Sequence, residues 1–361
     1  MKKHIIAMAA LCACMSAASA QTSVTIYGIV DAGITHVNND GPNGSRTTVE
    51  AGQMQVSRWG FKGVEDLGGG LKARFGLEGT LLNDTGGAGV PTGTPSSTSL
   101  FDREATVGLT GNFGSLDFGR QNILGVLSVG MADPMGLAFA ATSPNVLFSA
   151  MNNSAVYGAY GANNGGTALR QNNSIRYVSP SWSGFGFALM RGFGEQPGDS
   201  QRSSYQGVSA FYNAGALNAA AAFARMKNAT NTDLLKSHAV GIKYTMPRVV
   251  LKSTYSENEL ESNGRKISVF GVGVDVPVAP ALTLTGAFYN TRRSGDVKDD
   301  SQQYILISRY ALSKRSTAYA SYGHAATDRI VAANDINLAQ GFVSVGSDSA
   351  NRFTVGVMHM F

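Results

Sequence analysis

Beyond residue 20 the chain contains no cysteine, since Cys12 and Cys14 are the only two among its 361 residues. A disulfide framework is therefore excluded as the source of stability in the mature protein. The same region has no apolar run long enough for a helix to cross a membrane. Charge is sparse and nearly balanced. With Lys2 and Lys3 removed from the 29 basic residues, 27 face 24 acidic ones, a net charge near +3. That balance argues against nucleic acid or another polyanion as a partner. Beyond residue 20 histidine is limited to His36, His238, His324 and His359, scattered without a nucleophile elbow or metal-ligand spacing. No enzyme activity, metal or cofactor is expected. Gly68-Gly69-Gly70 and Gly271-Val272-Gly273 lack the strand-to-helix context of phosphate loops and read as turns or close strand contacts.

What is present begins with an export signal. Lys2 and Lys3 precede an apolar run from Ile5 to about Met15, with small residues at Ala18 and Ala20. Cleavage after Ala20 leaves Gln21 first, so the expected division is a signal peptide over 1–20 and one domain over 21–361. A lipid-attachment site at Cys12 or Cys14 is the alternative. The short apolar run and the strand that starts directly after Ala20 speak against it.

Residues 57–78 alternate between two chemistries. Arg58, Lys62, Lys72, Arg74 and Glu78 fall on one face of a hairpin; Trp59, Phe61, Leu71, Ala73, Phe75 and Leu77 fall on the other. Segments of this kind recur about sixteen times. They are joined alternately by tight Gly/Pro/Asn/Ser turns (65–70, 111–114, 179–184, 213–215, 246–248, 277–280, 311–315) and by longer polar stretches (38–52, 83–99, 196–203, 228–236, 258–264, 292–300, 327–350). The expected fold is all-β: a transmembrane antiparallel β-barrel. A mean hydropathy near zero fits it, because only every second residue meets lipid while the lumen is polar. Residues 218–224, nearly all alanine, are read as a strand, with a helix as the alternative. The last segment puts Phe353, Val355, Val357, His359 and Phe361 on one face. Pairing with the first strand (24–37) would remove both sheet edges.

Several strings resemble the general diffusion porins of the Gram-negative outer membrane, in their β-proteobacterial branch. They are VTIYGIVDAGI (24–34), SRWGFKGVEDLGGGLKARFGLE (57–78), GSLDFGRQ (114–121), NNSIRYVSPSWSGFGF (172–187), YALSKRSTAYASY (310–322) and VGVMHMF (355–361). The resemblance implies a homotrimer of sixteen-stranded barrels set among outer-membrane lipid and lipopolysaccharide. It also implies a terminal Phe361 read by the assembly machinery and passive flow of small hydrophilic solutes and ions. In such porins a third external loop, here about 122–169, folds into the lumen opposite a ladder of wall arginines. The matching positions are Arg58, Arg103 and Arg170, with Asp133 in the acidic loop position. Lys62, Lys72, Arg74 and Glu78 would line the lumen. Parity supports Arg58; Arg103 shares parity with Ala105, Val107 and Leu109, so a bulge or a subunit-contact strand has to be assumed there.

Between Gln121 and Arg170 the only Asp, Glu, Lys, Arg or His is Asp133. With acids removed from the loop the arginine side dominates, which predicts a moderate anion preference. At about 4 Å one charge pair interacts by about 1 kcal/mol in bulk water and about 4 kcal/mol at an effective dielectric of 20. Physiological salt screens beyond about 8 Å. The loop's apolar residues, Phe139 and Phe148 among them, either anchor it to the wall or form a slide for amphipathic solutes. A solute-specific channel, with the arginines binding organic anions or phosphate, is the main alternative. An outer-membrane hydrolase and a purely structural barrel are the others. Asp296, Asp299 and Asp300 are read as solvated loop charges, with a divalent cation or a lipopolysaccharide bridge as the rival.

Overall fold

The computed structural model describes residues 23–41, 44–88, 99–139, 142–151, 153–161 and 169–361. The expected signal peptide lies outside them. Seventeen strands run in chain order: β1 (Ser23–Val37), β2 (Arg46–Ala51), β3 (Arg58–Gly68), β4 (Leu71–Thr80), β5 (Glu104–Gly111), β6 (Gly114–Asn122), β7 (Arg170–Val178), β8 (Phe185–Gly192), β9 (Tyr205–Ala214), β10 (Leu217–Lys227), β11 (Leu234–Met246), β12 (Val249–Leu260), β13 (Lys266–Ala279), β14 (Leu282–Ser294), β15 (Asp299–Ala311), β16 (Ser316–Thr327) and β17 (Ser349–Met360). Each pairs antiparallel with its neighbours. β2 and β3 both pair with β1, the first with its far half and the second with its near half. They are one wall strand interrupted at residues 52–57, so the seventeen segments make sixteen staves of a closed barrel.

Closure is made by β1 against β17, from Ile29 opposite Met360 to Val37 opposite Arg352. Gly28 and Phe361 then exchange two backbone hydrogen bonds, of 3.2 and 3.1 Å. This seam removes the two edges that an apolar terminal strand would otherwise expose. The outward faces carry large apolar side chains: Val355 and Val357 on β17, Leu306 and Tyr304 on β15, Phe270 and Val272 on β13, Val107 on β5. Aromatic pairs such as Phe185 with Tyr212 (4.4 Å between rings) and Tyr322 with Phe353 (4.9 Å) sit on the same surface, as in the girdles of barrels that span lipid. The alanine-rich segment is a strand, β10, paired on both sides.

Strands on the β11–β15 side run 12–14 residues, longer than the polar composition of their ends suggests. Stretches read as loops therefore belong partly to the wall: Arg46–Ala51 is β2, and Asn258, Arg292 and Asp300 are all strand residues. Polar residues continue the ladder there because backbone pairing does not require apolar side chains. The interruption at 52–57 is held from within by Asp31. This fully buried carboxylate accepts hydrogen bonds from Tyr319 Oη (2.6 Å) and the Gln55 backbone N–H (2.6 Å), while Ser57 Oγ bridges the Asp31 backbone (2.9 and 3.0 Å).

Glycine at position 28 is required by the seam, because a Cβ there would press on the Phe361 ring and lie 2.7 Å from the Arg58 carbonyl oxygen. Overpacking of this kind costs about 1–3 kcal/mol. Gly28→Ala is expected to reduce the yield of the heat-modifiable folded barrel severalfold on semi-native electrophoresis, with Ala73→Gly as a control that leaves it unchanged.

Candidate functional site

The long connections lie at one end of the barrel, and there β3, β4 and the segments leading into β5 and β7 bring together several charged groups. Glu78, near the end of β4, is the hub. It accepts from Tyr27 Oη (3.0 Å) and Arg103 Nε (2.5 Å), and Arg58 Nε lies 3.7 Å from it. Arg170 Nε donates to the Arg103 carbonyl oxygen at 2.9 Å, and Arg120 Nε to the Asp102 carbonyl oxygen at 2.6 Å. Arg120 also donates to Asn172 Oδ1. Arg58, Arg103 and Arg170, the three arginines expected from the sequence, thus form one cluster. Arg58 is partly open, whereas Arg103 and Arg170 are 9% and 4% exposed.

Two of these arginines arrive against strand parity. Arg103 precedes β5 in a bend, where its backbone N–H bonds the Glu78 carbonyl (3.0 Å) and its side chain turns inward. No bulge within β5 is needed. Arg120 shares parity with Leu116 and Phe118, whose side chains belong to the outer face. It is redirected where the β6–β7 register shifts between Gly119 and Gln121, with Gly119 at φ +124° and Asn173 at φ +51°. Such a bulge flips the side chains that follow it. Period-two reading of GSLDFGRQ therefore misses Arg120.

Toward the tight-turn end the same wall carries Arg74, whose Nε donates to Asp117 Oδ1 at 2.8 Å and which also pairs with Oδ2. Arg176, directly across from Asp117 in register, lies 3.6 Å from it. With Lys62, Tyr27 and Glu104 these residues line a recess of about 370 Å³. Lys62 stands 5.1 Å from the Tyr27 ring centroid, a cation–π contact. Lys72 is exposed on the same inward parity. Along β3–β7 the guanidinium groups of Arg58, Arg74, Arg103, Arg120, Arg170 and Arg176 lie among the carboxylates of Glu78, Asp102, Glu104 and Asp117, with Lys62 and Lys72 on the same inward parity and Glu65 and Asp66 beside the β3–β4 turn.

Among its described residues the connection between β6 and β7 holds three short helices, α1 (Leu124–Gly130), α2 (Pro144–Leu147) and α3 (Ser154–Tyr157). It lies against strand faces opposite the apolar outer band. Leu124 N–H bonds Tyr205 Oη (3.2 Å), Asn145 Nδ2 bonds Thr254 Oγ1 (2.9 Å), and Asn258 Nδ2 bonds the Phe148 carbonyl (2.6 Å). From there it reaches the opposite arc: Phe139 N–H bonds the Gln53 carbonyl (2.5 Å), and the Phe139 ring packs edge-on against Tyr319. Small residues form the seat. Gly125 would place a Cβ 3.6 Å from that of Ala239, and Gly273 one 2.7 Å from Pro134 Cβ. Ala222 and Ala224, the inward alanines of β10, are nearly covered. Phe139 and Phe148, 5% and 1% exposed, are anchors in this packing and are not presented to solutes.

Asp133 is not where the resemblance puts it. It is buried on the β12–β14 side, 1% exposed, and contacts none of the clustered arginines. Its carboxylate accepts from the Leu137 N–H (2.7 Å), Met135 N–H (3.1 Å), Asn145 Nδ2 (2.6 Å) and Tyr289 Oη (3.1 Å). Burial pushes this carboxyl up from its ordinary range, against the pull of those bonds. Asp133 thus fixes the connection to the wall, and no acid of the connection faces the arginine cluster. Tyr289, Tyr205 and Asn258, which share the seat, give no distinguishing sequence signal, because each is one inward residue of a strand. The acids considered for a divalent cation are paired with arginine: Asp296 with Arg265 (2.6 Å) and Arg293 (2.7 Å), Asp299 with Arg329 (3.3 Å), Asp300 with Arg292 (3.1 Å). Partial burial pushes Asp296 up, but its two arginines outweigh that and hold it well below the usual carboxylate range.

Residues 7–329 match the family described as Gram-negative porin. Outer membrane porin protein 32 of Delftia acidovorans is 31% identical over the full length of both chains. An outer membrane porin protein of Bordetella pertussis is 27% identical, again over both full lengths. Among solved structures, an anion-selective porin from Comamonas acidovorans superposes with a TM-score of 0.77 at 25% identity, covering 94% of this chain and 100% of that one.

A Cβ at Gly241 would collide with the Ser128 carbonyl oxygen and lie 3.2 Å from Ala132 Cβ. Gly241→Val and Asp133→Asn, which unseat the same connection from two directions, are both expected to raise open-channel current noise severalfold in planar bilayers. Asp133→Asn is expected to shift the reversal potential less than Arg58→Ala does.

Proposed function

The chain belongs to the Gram-negative porin family, and from that premise we propose a passive diffusion channel for small hydrophilic solutes across the outer membrane, with a moderate preference for anions. The observation that carries the preference is the lopsided arginine wall of β3–β7, faced by a connection whose single carboxylate is turned away and buried. One uncompensated charge beside a narrow water-filled gap is worth about 1 kcal/mol at 4 Å in bulk water and about 4 kcal/mol at an effective dielectric of 20. Salt limits its reach to about 8 Å at 0.15 M. In this reading the connection between β6 and β7 lies in the lumen and narrows it, so that ions pass within that reach. The Comamonas porin bears the description anion-selective, which agrees with the same sign of field. The family and the fold are those of channel proteins, and the reading includes no chemical turnover and no cofactor. It also includes removal of residues 1–20 on export, recognition of Phe361 by the assembly machinery, a homotrimer, and contact with outer-membrane lipid and lipopolysaccharide.

A lumenal site for organic anions or phosphate is the second reading, favoured by the convergence of Arg58, Arg103 and Arg170 on one point of the wall. Guanidinium groups bind both ligand types in a forked geometry.

Reversal potentials in an asymmetric KCl gradient test the first reading. Wild type is expected to pass chloride over potassium by a few fold and Arg58→Ala to move the ratio toward unity, whereas a clear cation preference of wild type overturns it. Flux of a small dicarboxylate that stays linear through the millimolar range supports simple diffusion; saturation below 1 mM, roughly the weakest end of specific binding, favours the arginine site.

A further inference from the structure

Arg191, Gln206, Arg225 and Lys236 stand opposite one another in a single register row across β8, β9, β10 and β11. Strand parity places the row on the outer surface, in line with Leu189, Val208 and Phe223, which are exposed there. Just inside the row, toward the middle of the wall, Leu189, Val208 and Phe223 border a concavity of about 660 Å³ whose edge carries Arg191, with Ile175 opposite it in register, and Arg225. The row sits where these strands enter the connections 193–204 and 228–233, at the long-loop end of the apolar band. That is the level at which hydrocarbon gives way to lipid head groups.

Charge along the row is uneven. Lys236 is paired with Glu261 at 3.0 Å, and on the next strands Lys266 is paired with Glu259 at 3.3 Å. Among the described residues Arg191 and Arg225 meet no carboxylate. Arg191 donates to the Ser200 carbonyl (3.1 Å) and Arg225 Nε to Gln206 Oε1 (2.8 Å), both neutral acceptors. Two like charges that flank one neutral side chain, Gln206, over an apolar groove on a lipid-facing wall favour an anion lying between them, and this surface adjoins the phosphate level of a membrane. Guanidinium is also the side chain whose planar fork matches phosphate oxygens.

We propose that this groove binds a phosphorylated, multiply acylated saccharolipid of the outer leaflet, with a phosphate held between Arg191 and Arg225 and an acyl chain along Leu189, Val208 and Phe223. The site rests on the outer-membrane porin reading and adds a place and a head-group chemistry to its lipid contacts. The test uses the full mature protein in detergent, stripped of lipid and incubated separately with diphosphoryl lipid A, monophosphoryl lipid A and phosphatidylglycerol, with bound lipid counted by native mass spectrometry. Wild type is expected to retain diphosphoryl lipid A best and phosphatidylglycerol least. Arg191→Ala/Arg225→Ala is expected to lose about tenfold or more in retention, as for removal of charge-assisted hydrogen bonds. Arg225→Lys, which keeps the charge but not the fork, is expected to lose severalfold, and serves if the double variant folds poorly. Arg315→Ala, at the tight-turn end, should bind as wild type. Equal retention by wild type and both groove variants overturns the site, as does equal retention of phosphatidylglycerol. Dissociation of the double variant into monomers in lipid-free detergent, where wild type stays oligomeric, would make this face a contact between copies and also overturn it. Single-channel conductance in bilayers without lipid A is read in parallel. Its absence in wild type would refute the channel, while the lipid counts would still decide the groove.

Discussion

Every backbone N–H and C=O of a chain that crosses hydrocarbon has to find a partner within the protein, and here the next stave supplies it along nearly all of the wall. That constraint explains why the sheet closes, why the seam lies between β1 and β17, and why Phe361 ends the chain beside Gly28 with its backbone paired. It also explains the form of the one interruption. Where residues 52–57 leave the ladder, side-chain acceptors replace the missing strand partners: Asp31 takes the Gln55 N–H and Ser57 Oγ takes that of Asp31. Burying a carboxylate is costly, and hydrogen-bond donors offset that cost at both sites: four reach Asp133, and Tyr319 Oη and the Gln55 N–H reach Asp31. In each case one donor is a tyrosine hydroxyl of the wall, Tyr319 on β16, the stave next but one to that of Asp31, and Tyr289 on β14 for Asp133.

The barrel was legible in the sequence because its governing rule is local. Period-two alternation needs only neighbouring residues, and the hairpin of residues 57–78 follows it apart from a register shift between Asp66 and Gly68, beside its turn. Turns rich in Gly, Pro and Asn separate the staves at one end, and they too are local signals. Strand length was less legible. The ends of β12, β14 and β15 carry Asn258, Arg292 and Asp300, whose polarity suggests loop although their backbones remain paired.

The site was legible where alternation holds and obscure where it breaks. Arg58, Lys62, Arg74 and Glu78 follow from parity. Arg103 and Arg120 do not, since one sits in a bend before its strand and the other follows a bulge at Gly119. These local departures each bring an additional guanidinium to the cluster, so the irregularities of the wall are where its charge is concentrated. The seat of the β6–β7 connection was hidden for a different reason. It consists of residues that are small or ordinary one by one, such as Gly241, Ala224 and Ala239, and their common purpose appears only when four strands stand side by side. The alanine run of β10 is weak as a strand signal because its inward positions leave room for α1.

The way the arginines are held bears on how a wall can be both rigid and charged. Arg103, Arg120, Arg170 and Arg74 are each fixed through Nε, to Glu78, the Asp102 carbonyl, the Arg103 carbonyl and Asp117 in turn. Two of these acceptors are backbone carbonyls, which orient a guanidinium without cancelling its charge. A lysine ammonium, a flexible point charge, would gain less from such a hold, because it has no planar fork to orient. Neutral acceptors, supplied by the same strand ends that carry the departures from alternation, thus keep positive charge in place where like charges would otherwise drive the side chains apart.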